Sequence, residues 1–282
     1  MGVFDAVSRG TAQMGHGAAY YWQGKNPACA FFSAVPFGLT ASEMNGWLQY
    51  GGGQKLWDEL YAPFNLMGFA AGNTGVQMGG WFNKEINTIE DFKGLKMRMP
   101  GLGGKVLNQL GSAVVTLSGG EITQAMQTGT IDATEWVGPY NDLAFGLHKV
   151  SKFYYWPGWH EPGTTLECMV NKQEFEKLPK HLQAVVRYAC QSVDSDMQAE
   201  FAAKNSTALN QLVQQHKVKL KKFPDPVLKK LGELSEGVVA EVAKANPTAT
   251  KIHKSFQSFK NCQRGLGKIS ESAYAQARSL TL

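Results

Sequence analysis

Arg98 lies between Met97 and Met99 in the segment Lys93-Gly94-Leu95-Lys96-Met97-Arg98-Met99-Pro100, which reads as an apolar strand. If that strand is buried, the guanidinium must meet an acid or a ligand carboxylate, because an unpaired buried charge is costly. Its planar fork of donors suits a carboxylate gripped through two parallel hydrogen bonds. From this segment alone three outcomes stay open: a protein glutamate, solvation at a strand end, or a ligand.

Three further segments combine Trp, Gly and unpaired polar residues where strands would end: Gly75–Trp81, Thr134–Asn141 and Tyr155–Gly163. Binding groups collect on loops carried by a rigid scaffold, and in α/β sheets at the carboxyl ends of strands. Within them Glu135, Glu161 and Gln77 could give a hard cation its oxygen ligands. The two carboxylates could equally form a general acid/base pair. Residue by residue, ordinary surface glutamates and a partly exposed loop histidine at His160 explain these positions better, since no nucleophile elbow accompanies them.

The elements that must carry these loops alternate in the first half of the chain. Val3–Gly10 reads as helix, Ala12–His16 as strand, Ala41–Tyr61 as helix, and Phe64–Ala71, Val76–Phe82 and Leu95–Met99 as strands. Helix Leu102–Leu110, strand Ala113–Leu117 and helix Glu121–Gln127 follow, with Gly111 and Gly129 placed as C-terminal caps. Such alternation predicts an α/β fold with a substantial parallel component. A short echo between Ala6–Ala12 and Ala125–Ile131, each helix, Gly-Thr turn and strand, hints at two units of similar construction. From Lys172 onward long helices take over: Lys180–His216, Asp225–Ala245 and Thr248–Ser279. The first would run roughly 55 Å at 1.5 Å per residue, long enough to span two lobes.

Composition narrows the function classes. The 282 residues are 43% hydrophobic, enough for a real core. The net charge of +5 comes from scattered lysines such as Lys217, Lys219, Lys221 and Lys222, without the aromatic interleaving of a nucleic-acid surface. Cys29, Cys168, Cys190 and Cys262 form no C-x-x-C pair and read as buried free thiols. No stretch reaches the roughly 20 apolar residues of a membrane helix, and Met1–Phe4 lacks the start of a signal peptide.

The segments Phe92–Arg98, Gly129–Pro139 (with Glu135-Trp136-Val137-Gly138-Pro139) and Tyr155–Glu161 together resemble the substrate-binding proteins of TRAP-type transporters, and most of all their 2-oxo acid-binding branch. The resemblance covers nearly the whole chain. It implies a two-lobed, type II-like periplasmic binding fold with long C-terminal helices, and no enzymatic activity. It makes Arg98 the grip on a substrate carboxylate, with Gln77 and Trp136 touching the substrate. Glu135, Glu161 and the Trp136 carbonyl become holders of a metal ion, sodium or calcium. The implied ligand is a small 2-oxo or 2-hydroxy monocarboxylate, with a dicarboxylate or aromatic acid as the alternative; the implied partners are the membrane components of the transporter.

The resemblance also implies a division in which residues 1–95 belong mainly to the first lobe, 96–175 mainly to the second, and 176–282 to spanning and C-terminal helices. Relative to that pattern the chain opens directly on the Val3–Gly10 helix, so an N-terminally truncated first lobe is expected. A homodimer is expected as well. Ile252, Phe256, Phe259 and Leu266 recur at helical spacing in Thr248–Ser279, and such a stripe must be covered by its own lobe or by a second protomer.

Overall fold

A computed structural model describes residues 2–281. Helix α1 (Val3–Ser8) ends at Gly10, whose φ of 78° is open to glycine, and leads into strand β1 (Met14–Gly17). Two 3-10 turns, Ala19–Trp22 and Pro27–Phe32, then bury small and aromatic side chains. The helix expected over 41–61 is two helices, α2 (Ala41–Gln49) and α3 (Gly53–Tyr61), because Gly52 between them takes φ of 84°. Strand β2 (Leu66–Asn73) precedes β3 (Gly80–Phe82), which is shorter than the expected 76–82 because Gly75–Gly79 forms a loop.

Next come β4 (Lys96–Arg98), α4 (Gly101–Gln109), β5 (Ala113–Val115), α5 (Gly119–Gln127) and β6 (Ala133–Thr134). Gly111 and Gly129 after the two helices do take positive φ, at 81° and 71°. The Gly10 and Gly129 turns make the echo in the sequence concrete, since each passes a short helix into a strand. The chain continues through α6 (Pro139–Ala144), β7 (Phe153–Trp156), β8 (Thr165–Asn171), α7 (Lys172–Lys177), α8 (Lys180–Gln214) and β9 (Lys219–Lys222). It closes with α9 (Asp225–Ala243), α10 (Pro247–Ile269) and α11 (Glu271–Ser279), so the helix expected over 248–279 is broken at Ser270.

The strands form two sheets, ordered β1-β8-β2 and β5-β4-β6-β3-β7-β9. The smaller one is antiparallel throughout, so the expected parallel component is confined to part of the larger: β4 runs parallel to β5 and β6, and β7 to β9. In the larger sheet β3 is antiparallel to both of its neighbours, β6 and β7. Each sheet draws on non-contiguous segments, β3 from the first part of the chain serving the larger and β8 the smaller.

Period-two alternation gives the small sheet two buried faces. Gly68, Glu167 and Met169 look toward the main core, where Trp57 lies so close that a Cβ on residue 68 would come within 2.6 Å of it. Met67, Phe69, Ala71, Cys168 and Val170 look the other way, onto Val186 and Cys190 of α8. The far end of this 35-residue helix places Leu212 in the separate core of the larger sheet, among Trp81, Ile122 and Tyr154. Helix α8 therefore touches the cores of both sheets.

Candidate functional site

Strand β4 delivers Arg98 to the carboxyl end of the larger sheet, where its side chain is 1% exposed. Nη1 donates to Glu135 Oε1, and also to the Glu135 carbonyl at 3.2 Å. Nε reaches the Leu117 carbonyl and Nη2 the Tyr21 hydroxyl, each at 3.3 Å, while the guanidinium lies 5.3 Å from the Trp136 ring centre. Register explains the pairing: β4 and β6 are parallel with Arg98 opposite Thr134, so the next residue, Glu135, falls beside the arginine. Burial works against the Arg98 charge, and Glu135 with the nearby tyrosines more than offsets it, holding its pKa above the ordinary value.

Glu161 completes the acidic side. It accepts from Gln77 Nε2 at 2.8 Å and from the Thr164 hydroxyl. The loop carrying Gln77 and the loop carrying Glu161 are joined by backbone bonds, Gln77 N to the Glu161 carbonyl at 3.1 Å and Gly158 N to the Gln77 carbonyl at 3.0 Å. Their approach requires glycine at 158, where a Cβ would come within 2.2 Å of the Gln77 carbonyl oxygen. Glu135 and Glu161 are both buried, not surface residues, and His160 is buried too, its Nε2 3.5 Å from Glu135 Oε2. The expectations of surface glutamates and a partly exposed histidine are thereby corrected: folding leaves all three at 3% exposure or less.

The structure thus brings Gln77, Arg98, Glu135, Trp136 and Glu161 together. Trp136 is half-buried against Phe145, with ring centres 4.7 Å apart. Sequence reasoning missed Tyr20 and Tyr21, although the run Ala19-Tyr20-Tyr21-Trp22 is an unusual aromatic cluster. It also missed two buried carboxylates that hold the site from behind. Asp142 accepts from Trp81 Nε1 (2.8 Å), Tyr154 Oη (2.7 Å) and Val137 N (3.1 Å), fixing the turn that carries Glu135 and Trp136; burial pushes its carboxyl up to about 6. Glu167 accepts from Trp22 Nε1 (2.5 Å) and the Tyr61 hydroxyl (2.9 Å), anchoring the 3-10 turn that presents Tyr20 and Tyr21.

The acidic cluster fits a cation. Glu135, His160 and Glu161 offer ligand atoms that all lie within 4.8 Å of one another. Burial, and next to it the Glu135 charge, pushes the Glu161 carboxyl up to about 7, the penalty an ion between the two would relieve. Gln77 Oε1 is buried without a hydrogen-bond partner among the described residues, an oxygen beside the carboxylates. An oxygen-rich set of this kind suits a hard ion. Arg98 with two carboxylates, a neutral amide and a tryptophan face can bind and orient a small anion.

Comparison with known proteins identifies the class. The model of the family "Bacterial extracellular solute-binding protein, family 7" (DctP) matches residues 1–246, and the chain belongs to this family. It is a solute-binding protein of TRAP type, not an enzyme. A monocarboxylate 2-oxoacid-binding periplasmic protein of Nostoc sp. is 42% identical over 272 residues, 96% of this chain and 74% of the relative. A TRAP periplasmic solute-binding protein of Colwellia psychrerythraea, solved with calcium and pyruvate, is 43% identical with a TM-score of 0.95, covering 98% of this chain and 84% of that one. Its counterpart from Pseudoalteromonas atlantica T6c, solved with sodium and pyruvate, is 42% identical with a TM-score of 0.94 over the same shares, 98% and 84%.

The buried acids make stability depend on pH. Burial pushes the Glu167 carboxyl up to about 7 against its hydrogen bonds, so the native state holds a proton that the unfolded chain releases near 4.5. A raised folded pKa means stability is full below 4.5 and falls as pH rises to about 7, by about 3 kcal/mol for this group. Glu161 acts in the same direction when no cation is bound. Urea melts in cation-free buffer should therefore show stability rising from pH 7.5 to pH 5.5, and Glu167→Gln should flatten that slope without abolishing it. A slope unchanged in the variant would show that Glu167 is ionised in the fold.

Proposed function

We propose that the chain captures a small 2-oxo or 2-hydroxy monocarboxylate together with sodium or calcium in the periplasm, and hands it to the membrane components of a TRAP transporter. The observation that carries this reading is the convergence of Arg98, Glu135, Glu161 and Gln77, far apart in sequence, in one buried constellation. Arg98 grips the carboxylate, Gln77 and Trp136 contact the substrate, and Glu135, Glu161 and the Trp136 carbonyl hold the cation. The pyruvate and the calcium or sodium bound by the two solved relatives support the assignment. The two lobes are built on the two sheets, residues 1–95 mainly in the first and 96–175 mainly in the second, with 176–282 supplying the spanning and C-terminal helices.

Charge favours a monoanion. Arg98 with two glutamates carries −1; a monocarboxylate brings it to −2, which calcium neutralises and sodium reduces to −1. A dicarboxylate would add a further buried negative charge. In calcium-containing buffer, calorimetry with pyruvate should show Arg98→Ala weakened by about 2 to 5 kcal/mol, the cost of removing one partner of a buried charge pair. Unchanged affinity would remove Arg98 from the site. Wild-type titrations in chelator and sodium-free buffer should show much weaker pyruvate binding than with either ion restored, and equal affinities reject the cation role.

The homodimer is part of the same proposal. Ile252 and Phe256 of the α10 stripe are buried on their own chain, but Leu266, Ile269, Tyr274 and Leu280 are exposed along α10 and past α11. A second protomer covering that stretch suits such a stripe. Light scattering at micromolar concentration should give about twice the chain mass of 30.8 kDa, and a monomer mass rejects the dimer.

A further inference from the structure

The geometry points to a disulfide between Cys168 and Cys190 that staples helix α8 to the three-stranded sheet. Sequence reading treats all four cysteines as buried free thiols, and the fold separates them. Cys29 is buried in the main core and Cys262 is exposed on α10, whereas Cys168 and Cys190 share one small apolar cluster. Cys168 lies opposite Phe69 in the β2–β8 ladder, and both project from the face covered by α8. On the helix, Val186 and Cys190 are one turn apart and both pack into that cluster. Arg187 beside them caps Phe69 and Phe175, its guanidinium 4.8 and 5.4 Å from the ring centres. The helix face that meets this cluster is thus fixed one turn before Cys190 by Val186 and Arg187.

The two cysteines share this cluster closely enough that each thiol's titration is shifted chiefly by the other, Cys168 upward and Cys190 downward. The thiolate is the species that attacks a disulfide, which favours reaction at this pair.

The reaction is thiol–disulfide exchange, and its oxidant is an incoming disulfide such as oxidised glutathione. One cysteine thiolate attacks a sulfur of the oxidant and expels the other as a thiolate, giving a mixed disulfide. The second cysteine then attacks the protein sulfur, forming the Cys168–Cys190 bond and releasing the remaining half of the oxidant. Two electrons and two protons pass to the oxidant, which leaves as two thiols. An oxidising compartment, as the periplasmic placement proposed above implies, keeps such a bond closed. The staple closes a loop of about 22 residues (190 − 168) and fixes the first half of α8 to the small sheet. It lies on the opposite face of β8 from Glu167, so ligand binding is left intact.

The test uses the full chain equilibrated with oxidised glutathione, alkylated under denaturing conditions and digested with trypsin. The cysteines fall in separate peptides, 153–172 and 188–204. The expected result is those two peptides linked, lighter by two hydrogens, with Cys29 and Cys262 still alkylated after mild treatment of any glutathione adduct. Reduction should lower the melting midpoint of the wild type by roughly 5 to 10 °C and leave that of Cys168→Ser unmoved. Recovery of both peptides unlinked and alkylated, or linkage of either cysteine to Cys29 or Cys262, overturns the proposal. The wild-type peptide map decides the matter even if the variant fails to fold, and pyruvate calorimetry on the same sample reports separately on the binding site.

Discussion

The ion pair between Arg98 and Glu135 is the constraint around which the site is arranged. Neither charge has access to bulk water, so each depends on the other and on the groups that fix their positions. Arg98 is held by the Leu117 carbonyl and Tyr21, and Glu135 by the parallel register of β4 and β6. A receptor needs such pre-arrangement because every degree of freedom frozen on binding subtracts from affinity. The acidic excess around the pair, with Glu161 and His160 close to Glu135, suits a cation.

Support for this arrangement comes from some distance. Asp142 ties α6 to β3 and β7 through Trp81 and Tyr154, whose rings stack with centres 4.0 Å apart, and it also anchors the turn bearing Glu135. Glu167 performs a similar service on the small sheet through Trp22 and Tyr61. Each of these buried carboxylates, Asp142 on α6 and Glu167 on β8, therefore holds two aromatic side chains of a core by hydrogen bonds. Their raised proton affinities show that the fold tolerates considerable desolvation in order to keep these contacts.

Much of the site was legible in the sequence because its residues are locally anomalous. An arginine between methionines, and glutamates in loops rich in Trp and Gly, violate the patterns that surround them. His160 was not legible, since only the packed loops decide whether a histidine beside a glutamate is exposed. Asp142 and Glu167 were invisible for a related reason: their partners lie 61 and 145 residues away, at Trp81 and Trp22. Helix positions were read well from spacing and from Gly111 and Gly129, while the breaks at Gly52 and Ser270 were not. Pairing of β8 between β1 and β2 carries no local signal, so the antiparallel character of the small sheet emerged only in three dimensions.

The larger sheet ends in β9, an exposed edge strand that reads Lys219-Leu220-Lys221-Lys222. Three of its four side chains are cationic, with Lys221 meeting Glu85 and Lys222 meeting Asp225. A free strand edge offers unpaired amides and carbonyls to any other extended chain, and lysines along it make that approach repulsive and poorly solvated. Part of the surplus positive charge of this protein therefore opposes edge-to-edge extension of the larger sheet at β9.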